Sequence, residues 1–326
     1  MSATLRAVHI DVTRPESRFA ERKPQPSANS PSPAELAVLR AVTYAGLFQF
    51  PLTPAEARRT LVGCALSETS LMAMYRASEF LQSRVEYRKG FFVPVGRGDW
   101  IVERVGREAR SLRLIRAHKR FLNVLCTVPF IRLLAVSGSL AHLNATRDAD
   151  LDLFIVTSGP RVWSVTVAVV LLAKVMGCRK TVCANFTVSD WDLVVKPQDE
   201  FAANQIIHLR PVIGAEAYRE FLEASSFARM VYPGFDVREQ VKWPFAPARW
   251  TFAVKRALTV LSWLPAGVVE TACRVGYRWH LRRKISRWPS PDQVQLTRTQ
   301  LKLHGNSHRA TIAKKFDEAL QQATGE

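Results

Sequence analysis

Two carboxylates two positions apart, Asp150 and Asp152, are the side chains of this 326-residue chain best suited to hold a cation. They lie in the run Asp-Leu-Asp-Leu-Phe-Ile-Val, which predicts a strand that becomes fully buried. Because side chains alternate along a strand, both carboxylates are predicted to lie on one face. Paired carboxylates suit oxygen coordination of magnesium. Asp148 and Asp150 have the same spacing, but Leu151 and Leu153 as inward residues favour the second pair.

A predicted strand-to-helix turn precedes these carboxylates. Residues 131–136 are apolar apart from Arg132 and indicate a buried strand, and Gly138 and Ser139 follow where the strand would turn into a helix. Backbone N–H groups at a helix start bind phosphate oxygens. Turn and carboxylates together predict a site for a metal-bound nucleotide. The alternative is an acidic turn that leads into a core strand and binds nothing.

A resemblance to a known family rests on these same residues. Gly138 and Ser139, a ten-residue spacer and then Asp150-Leu-Asp152 resemble the signature of the DNA polymerase beta-like nucleotidyltransferase superfamily. The order of further segments resembles a group of bacterial nucleotidyltransferase-domain proteins of undefined substrate. The segments concerned are Phe50-Pro-Leu-Thr53, Val128-Pro-Phe, Arg161-Val-Trp163 and Cys183-Ala-Asn185-Phe.

The resemblance implies an enzyme that transfers a nucleoside monophosphate from a nucleoside triphosphate, taken here as ATP, to an acceptor hydroxyl. It implies Mg²⁺ or Mn²⁺ on Asp150 and Asp152, with Ser139 and neighbouring amides on phosphate oxygens. Arg161 is a further candidate for the triphosphate. The acceptor is left open between a small molecule, an RNA end and a protein hydroxyl.

Related enzymes add a third carboxylate from a later strand, and this chain departs from that pattern. Asn185 lies in the middle of the candidate strand, and an amide is a poor base. Asp192 is the predicted third carboxylate, with Asp190 as the neighbouring alternative. If Asn185 fills the position instead, a non-catalytic protein that senses nucleotide or binds nucleic acid is the competing hypothesis.

The charge balance favours polyanionic partners, because 46 Lys and Arg face 28 Asp and Glu for a net charge of +18. The five cysteines are odd in number and form no Cys-x-x-Cys pair, which argues against a disulfide framework or a zinc site. We therefore expect a reducing, cytoplasmic location. Residues 1–33 contain many prolines and few large apolar side chains, so a disordered leader is expected.

The predicted fold class is α+β, with a mixed sheet flanked by helices. In residues 34–98, three predicted helices (35–48, one starting after Thr53, and 68–82) and a hairpin over 85–94 indicate a winged-helix-like domain. Residues 127–235 form the predicted nucleotidyltransferase domain, with strands at 131–136, 150–156, 181–188 and 192–195. Residues 236–326 are expected to be helical.

Residues 99–126 are predicted to form one basic connecting helix with Ile101 and Val105 on its inner face. Arginines recur at every third position and are expected to cover its outer surface, where they offer contacts to nucleic acid. They are Arg104, Arg107, Arg110, Arg113 and Arg116.

The segment 250–284 is rich in aromatic and apolar residues, is interrupted by Pro265 and ends in a basic cluster. Helices packed on the rest of the protein are the favoured interpretation. Contact with a membrane surface is the alternative that we do not favour from the sequence.

Overall fold

The computed structural model describes residues 30–239, 244–303 and 309–325. The predicted leader therefore lies almost wholly outside the described residues. The strands in the described part are β1 Val85–Arg88, β2 Phe91–Pro94, β3 Ile131–Ser137, β4 Leu151–Thr157, β5 Val182–Ser189, β6 Arg210–Ile213, β7 Val294–Leu296 and β8 Gln300–Leu303. The helices are α1 Pro33–Gly46, α2 Pro54–Arg59, α3 Glu68–Ala77, α4 Glu79–Gln82, α5 Trp100–Ala117, α6 Lys119–Leu125, α7 Gly138–Ala141, α8 Val162–Val175, α9 Glu200–Ile207, α10 Ala215–Ala224, α11 Phe227–Val231, α12 Trp250–Ser262, α13 Ala266–Ile285 and α14 Arg309–Thr324.

The amino-terminal unit is built from α1–α4 and the β1–β2 hairpin. Helix α2 begins as predicted with a capping box, in which the Thr53 side chain accepts from the Glu56 N–H and the Glu56 carboxylate accepts from the Thr53 N–H. The expected third helix is interrupted at Ser78, whose extended backbone ends α3 and whose hydroxyl caps α4. Leu39, Leu71 and Phe92 are fully buried between these elements.

A six-stranded mixed sheet in the order β6-β3-β4-β5-β8-β7 forms the centre of the molecule. Strands β3 and β4 are antiparallel, whereas β4 and β5 are parallel. One face of the sheet packs on α5, α6 and α8, and the other on α9, α10 and α11. The α+β class with a mixed sheet between helices is as predicted.

Several predicted elements are wrong. The segment 192–195 is not a strand, and residues 236–326, which were expected to be helical, contain strands β7 and β8 before α14 starts at Arg309. Gln300 and Lys302 made the β8 segment look like a polar helix, yet both are buried in the sheet. The predicted connecting helix is divided into α5 and α6 at His118, whose ring nitrogens contact Leu114 O and Thr181 Oγ1, each at 2.9 Å.

The carboxyl-terminal helices α12 and α13 lie on either side of Pro265, as expected, with a bend of 89° between them. Among the described residues no single helix is long and apolar enough to cross a bilayer, although this bent pair meets that criterion jointly.

Candidate active site at the amino end of strand β4

The two predicted carboxylates lie together at one end of the sheet. Asp152 is paired with Ser137 of β3 on one side and with Cys183 of β5 on the other, and Asp150 lies just before β4. Both carboxylates line one cavity of about 530 Å³. The opposite face of β4 carries Leu151 and Leu153, which are fully buried, so the alternation fixes the carboxylates on the cavity face.

Gly138 is the residue that lets the chain turn against Asp152. Its φ is +66°, in the left-handed region that favours glycine. A Cβ on Gly138 would lie 2.3 Å from Asp152 Oδ2, so any larger residue here would displace the Asp152 carboxylate. The glycine is therefore required both by backbone conformation and by the approach of the carboxylate.

Ser139 is separated from the carboxylates by the turn itself. It lines a second cavity of about 150 Å³ together with His142 and Asn144, whereas Gly138 borders both cavities. Helix α7 is only four residues long, so it offers little of the N-terminal dipole expected of a phosphate site. The structure places Ser139 at the second cavity and Gly138 at both, so the predicted phosphate contact of Ser139 stays a prediction.

Asn185, and not a third carboxylate, lies beside Asp152. Its Nδ2 donates to Asp152 Oδ1. A β-bulge makes this possible: Leu153 pairs with Ala184 and Phe154 with Phe186, which leaves Asn185 as the extra residue. The bulge keeps Asn185 and Phe186 on the cavity side together, as bulges do when they redirect side chains near binding sites.

The electrostatics of the paired carboxylates favour a bound cation. Burial, followed by the negative charge of Asp150, raises the pKa of Asp152 to about 7, and the hydrogen bond from Asn185 opposes this only in part. The Cys183 thiol lies 3.7 Å from Asp150 Oδ2. Its pKa is raised to about 11 by burial and by the two carboxylates, so it remains a neutral donor. A divalent cation between the carboxylates would remove their repulsion.

The side chains at this site suit a magnesium ion that is also held by substrate phosphates. No group of three or more His, Cys, Asp or Glu residues that could enclose a metal occurs in residues 30–239, 244–303 and 309–325. Magnesium is commonly held by one or two carboxylates together with substrate phosphates rather than by a cage of protein ligands. Asp150 and Asp152 match that requirement.

Two cations that sequence reasoning missed line the same cavity. Lys302 pairs with Phe186 across β5 and β8 and is 7 % exposed. Burial and then the positive charge of Arg309 lower the pKa of Lys302. Arg309 begins α14 and forms an ion pair with Asp199. The alternation Gln300-Leu-Lys-Leu303 was the available signal, because it predicts a strand with Lys302 on the polar face.

Asp190, Asp192 and Arg161 lie at the other end of the sheet. Ser189 lies six residue steps along β5 from Cys183, which corresponds to about 20 Å at the usual rise per residue. Asp192 accepts a 2.6 Å hydrogen bond from Thr299 Oγ1. The prediction that Asp192 completes the metal site is therefore wrong, and so is the alternative of Asp190.

Arg161 is wrongly predicted as a triphosphate contact for the same reason. It precedes α8 after the carboxyl end of β4, and its guanidinium lies 5.5 Å from the centre of the Phe130 ring. Strand β4 carries Asp152 near its start and Arg161 beyond its end, so one nucleotide does not contact both.

The basic surface predicted along α5 is mostly turned inward. Arg104 is buried and pairs with Glu56 at 2.7 Å, while Val105 is 60 % exposed, the reverse of the prediction. Arg107 donates to Phe48 O at 2.8 Å, and Arg110 donates to Ala145 O at 3.2 Å. The prediction that Arg104, Arg107 and Arg110 cover the outer surface is wrong. Their guanidinium groups instead donate hydrogen bonds to carbonyl and carboxylate groups. The two that remain exposed are Arg113 and Arg116.

No protein-family model, curated protein or solved structure matches this chain. The proposed function therefore rests on the residues that line the cavity.

Proposed function

We propose that the protein is a metal-dependent nucleotidyltransferase that transfers a nucleoside monophosphate from a nucleoside triphosphate, with ATP as the expected donor, to an acceptor hydroxyl. The observation that carries the proposal is the arrangement of Asp150 and Asp152 against Gly138, in a cavity that also contains Lys302 and Arg309. Carboxylates for a cation and cations for phosphate in one cavity suit a metal-bound triphosphate.

Each side chain has a role in this proposal. Asp150 and Asp152 hold Mg²⁺ or Mn²⁺, which when bound supplies neutralisation of the charge that develops on the transferred phosphoryl group. Lys302 binds phosphate oxygens as a compact positive charge. Arg309 binds them through the N–H donors of its planar guanidinium. Asn185 orients Asp152 through its amide N–H.

The bonds that form and break in the proposed reaction, and the proton that is released, can be accounted for without a base from the protein. A bond forms between the acceptor oxygen and the α phosphorus, the bond from that phosphorus to the bridging oxygen breaks, and pyrophosphate leaves. The acceptor hydroxyl proton has to depart as well. Because the described lining of the cavity carries no carboxylate besides Asp150 and Asp152, we propose that this proton passes to water.

Asn185 also favours a second candidate function, in which the site binds a metal-nucleotide without turnover. Phosphoryl transfer depends mainly on positioning and charge neutralisation, so loss of a third carboxylate lowers rate more than nucleotide affinity. The protein would then sense nucleotide or bind nucleic acid. Exposed Arg113 and Arg116 are the remaining candidates of the basic helix for such contacts.

The finer fold assignments belong to this proposal. We propose that the amino-terminal unit is winged-helix-like, which its helices α1–α4 and the following hairpin support. We propose that β3, α7, β4 and β5 are the core of a nucleotidyltransferase domain. The support is the Gly138 turn between β3 and a strand that starts with the carboxylate pair.

The test is pyrophosphate release by the full-length protein with each nucleoside triphosphate, Mg²⁺ or Mn²⁺ and candidate acceptors. We expect product with wild type and none with Asp150→Ala plus Asp152→Ala, whereas Asp192→Ala retains activity. Nucleotide binding that requires both carboxylates, without pyrophosphate under any condition, would support the sensing function. Failure of nucleotide to bind at all would overturn both.

A further inference from the structure

The bent helix pair α12–α13 exposes an unusual amount of apolar surface. Helix α12 buries Thr251, and α13 buries Ala266, Glu270 and Leu281. Around the bend, five large apolar side chains are between 70 % and 89 % exposed, and we call them the apolar elbow. They are Val260, Leu261, Trp263, Leu264 and Val268.

The pair is nevertheless firmly attached to the rest of the protein. Glu270 accepts hydrogen bonds from the backbone N–H groups of Trp163 and Ser164 at the start of α8, at 3.1 and 2.8 Å. Lys255 Nζ donates to Ile131 O. The elbow therefore projects from a fixed base, and its exposure is a property of the folded protein.

The segment that carries the elbow is basic on both sides of it, with Arg256 and Arg274 as the nearest cations in the sequence. Between Arg249 and Arg287 the sequence contains nine Lys and Arg residues and a single acidic residue, Glu270, which α8 already engages. The cluster Arg282, Arg283 and Lys284 is exposed at the end of α13. Exposed apolar side chains at a bend, with basic residues along both flanking helices, are the pattern of helices that lie in the headgroup region of anionic membranes.

Exposed tryptophans lie on both helices and in the elbow, as is common in helices that bind membrane surfaces. Trp263 lies in the elbow, Trp250 and Trp279 are more than half exposed along the two helices, and the Arg283 guanidinium is 3.5 Å from the centre of the Trp279 ring. Tryptophan is enriched at membrane–water interfaces because its ring is apolar and its N–H is polar.

We propose that the α12–α13 elbow is a membrane-surface anchor that binds an anionic lipid bilayer by partial insertion of the apolar elbow, with the basic cluster of α13 on the lipid headgroups. A second copy of the chain is a poorer occupant, because an isologous contact would bring the same cations together. The inference is independent of the proposed nucleotidyl transfer. The sequence favoured helices packed on the rest of the protein, and the elbow is the part of this pair that is left exposed.

Vesicle flotation of the full-length protein tests this anchor. We expect flotation with phosphatidylcholine vesicles that contain about 30 % phosphatidylglycerol, and little with phosphatidylcholine alone. Binding should weaken as salt is raised from about 50 to about 500 mM. Leu261→Ser plus Leu264→Ser should reduce partitioning at least about tenfold, because apolar burial contributes most of the insertion.

The matched control replaces two equally exposed apolar residues elsewhere. Val102→Ser plus Val105→Ser on α5, where the side chains are 72 % and 60 % exposed, should change partitioning less than about twofold. Thermal unfolding of each variant establishes that it folds. Arg282→Gln with Arg283→Gln and Lys284→Gln should remove the preference for anionic vesicles.

Four results would overturn the anchor. One is absence of flotation at low salt, and another is flotation of the elbow variant equal to that of wild type. The third is a dimer in solution that the elbow substitutions dissociate, which would assign the surface to a second copy. Resistance of bound protein to alkaline extraction would also contradict surface binding, since it would indicate that the helix pair is embedded in the bilayer.

Discussion

The two ends of strands β4 and β5 both carry aspartates, and their surroundings differ. At the carboxyl end, Asp190 accepts a 2.7 Å bond from Gly159 N–H and pairs with Arg132 at 3.1 Å, and Asp192 accepts from Thr299. At the amino end, Asp152 accepts from the neutral amide of Asn185 and lines the same cavity as the carboxylate of Asp150.

The difference lies in what balances each charge. A carboxylate that the protein itself neutralises contributes to stability. One that is half-buried beside a like charge lowers stability, which is why we propose a cation as its ligand. The raised pKa of Asp152 is the physical sign of this cost.

The largest expected effect is on turnover. Asp152→Asn should reduce pyrophosphate release by about 10³-fold or more, since it removes charge on which metal binding depends. Asp192→Asn at the other end should leave the rate within about twofold, because its hydrogen-bond acceptor survives. Steady-state kinetics of both variants measures the contrast. Equal losses would remove the distinction between the two ends.

Stability against pH gives the next contrast, without any metal. The pKa of Asp152 is higher in the folded state, about 7, than the ordinary 3.8, so the folded protein holds the proton more tightly. Its contribution is complete below pH 4 and is lost as pH rises to about 7. Asp152→Asn should therefore be more stable than wild type at pH 8, by up to about 4 kcal/mol. Urea unfolding in EDTA at pH 4.5 and 8 measures the difference.

The partnered aspartate should respond with the opposite sign. Asp190→Asn loses the charge that faces Arg132 and should lower the free energy of unfolding by about 1 kcal/mol at pH 8. Stabilisation by both substitutions, or by neither, would show that the two ends are electrostatically alike.

A third carboxylate can be restored at the amino end. Asn185→Asp replaces a donor to Asp152 with a negative charge, so the metal-free protein should lose about 2 kcal/mol of stability. Added Mg²⁺ or Mn²⁺ should recover that loss and bind more tightly than to wild type. Thermal unfolding with and without metal reports this. A loss that no divalent cation recovers would show that the cavity does not hold a metal at Asn185.

Two glycines provide the smallest contrast. Gly138 and Gly177 have nearly the same backbone angle, φ +66° and +71°, but a Cβ on Gly177 meets no atom within 4 Å. Gly177→Ala should cost about 1 kcal/mol for the left-handed conformation alone. Gly138→Ala should cost about 2 to 3 kcal/mol and also disturb metal binding, because Asp152 has to move. Equal costs in thermal unfolding would mean that the contact with Asp152 is dispensable.

Local signals in the sequence were sufficient for many elements. Thr53, Pro54 and Glu56 specify a helix start through hydrogen bonds that close within four residues. The alternation from Asp150 to Leu153 specified which side chains share a face, because strand geometry repeats every two residues. These predictions need no knowledge of the rest of the chain.

Contacts between segments that are distant in the sequence could not be predicted in this way. The roles of Arg104, Lys302 and Asp192 depend on partners 48, 116 and 107 positions away, namely Glu56, Phe186 and Thr299. No periodicity in the sequence encodes which of these segments meet. The bulge at Asn185 is likewise a product of strand pairing, and it decided which residue faces Asp152.

The sequence by itself determined the pair of carboxylates on one strand face and the glycine turn before them, because both follow from backbone geometry over a few residues. Only the tertiary structure decided what surrounds the pair. It placed Asn185, Lys302 and Arg309 at the cavity and Asp192 and Arg161 at the far end, because the environment of a charge is set by segments that are distant in the chain.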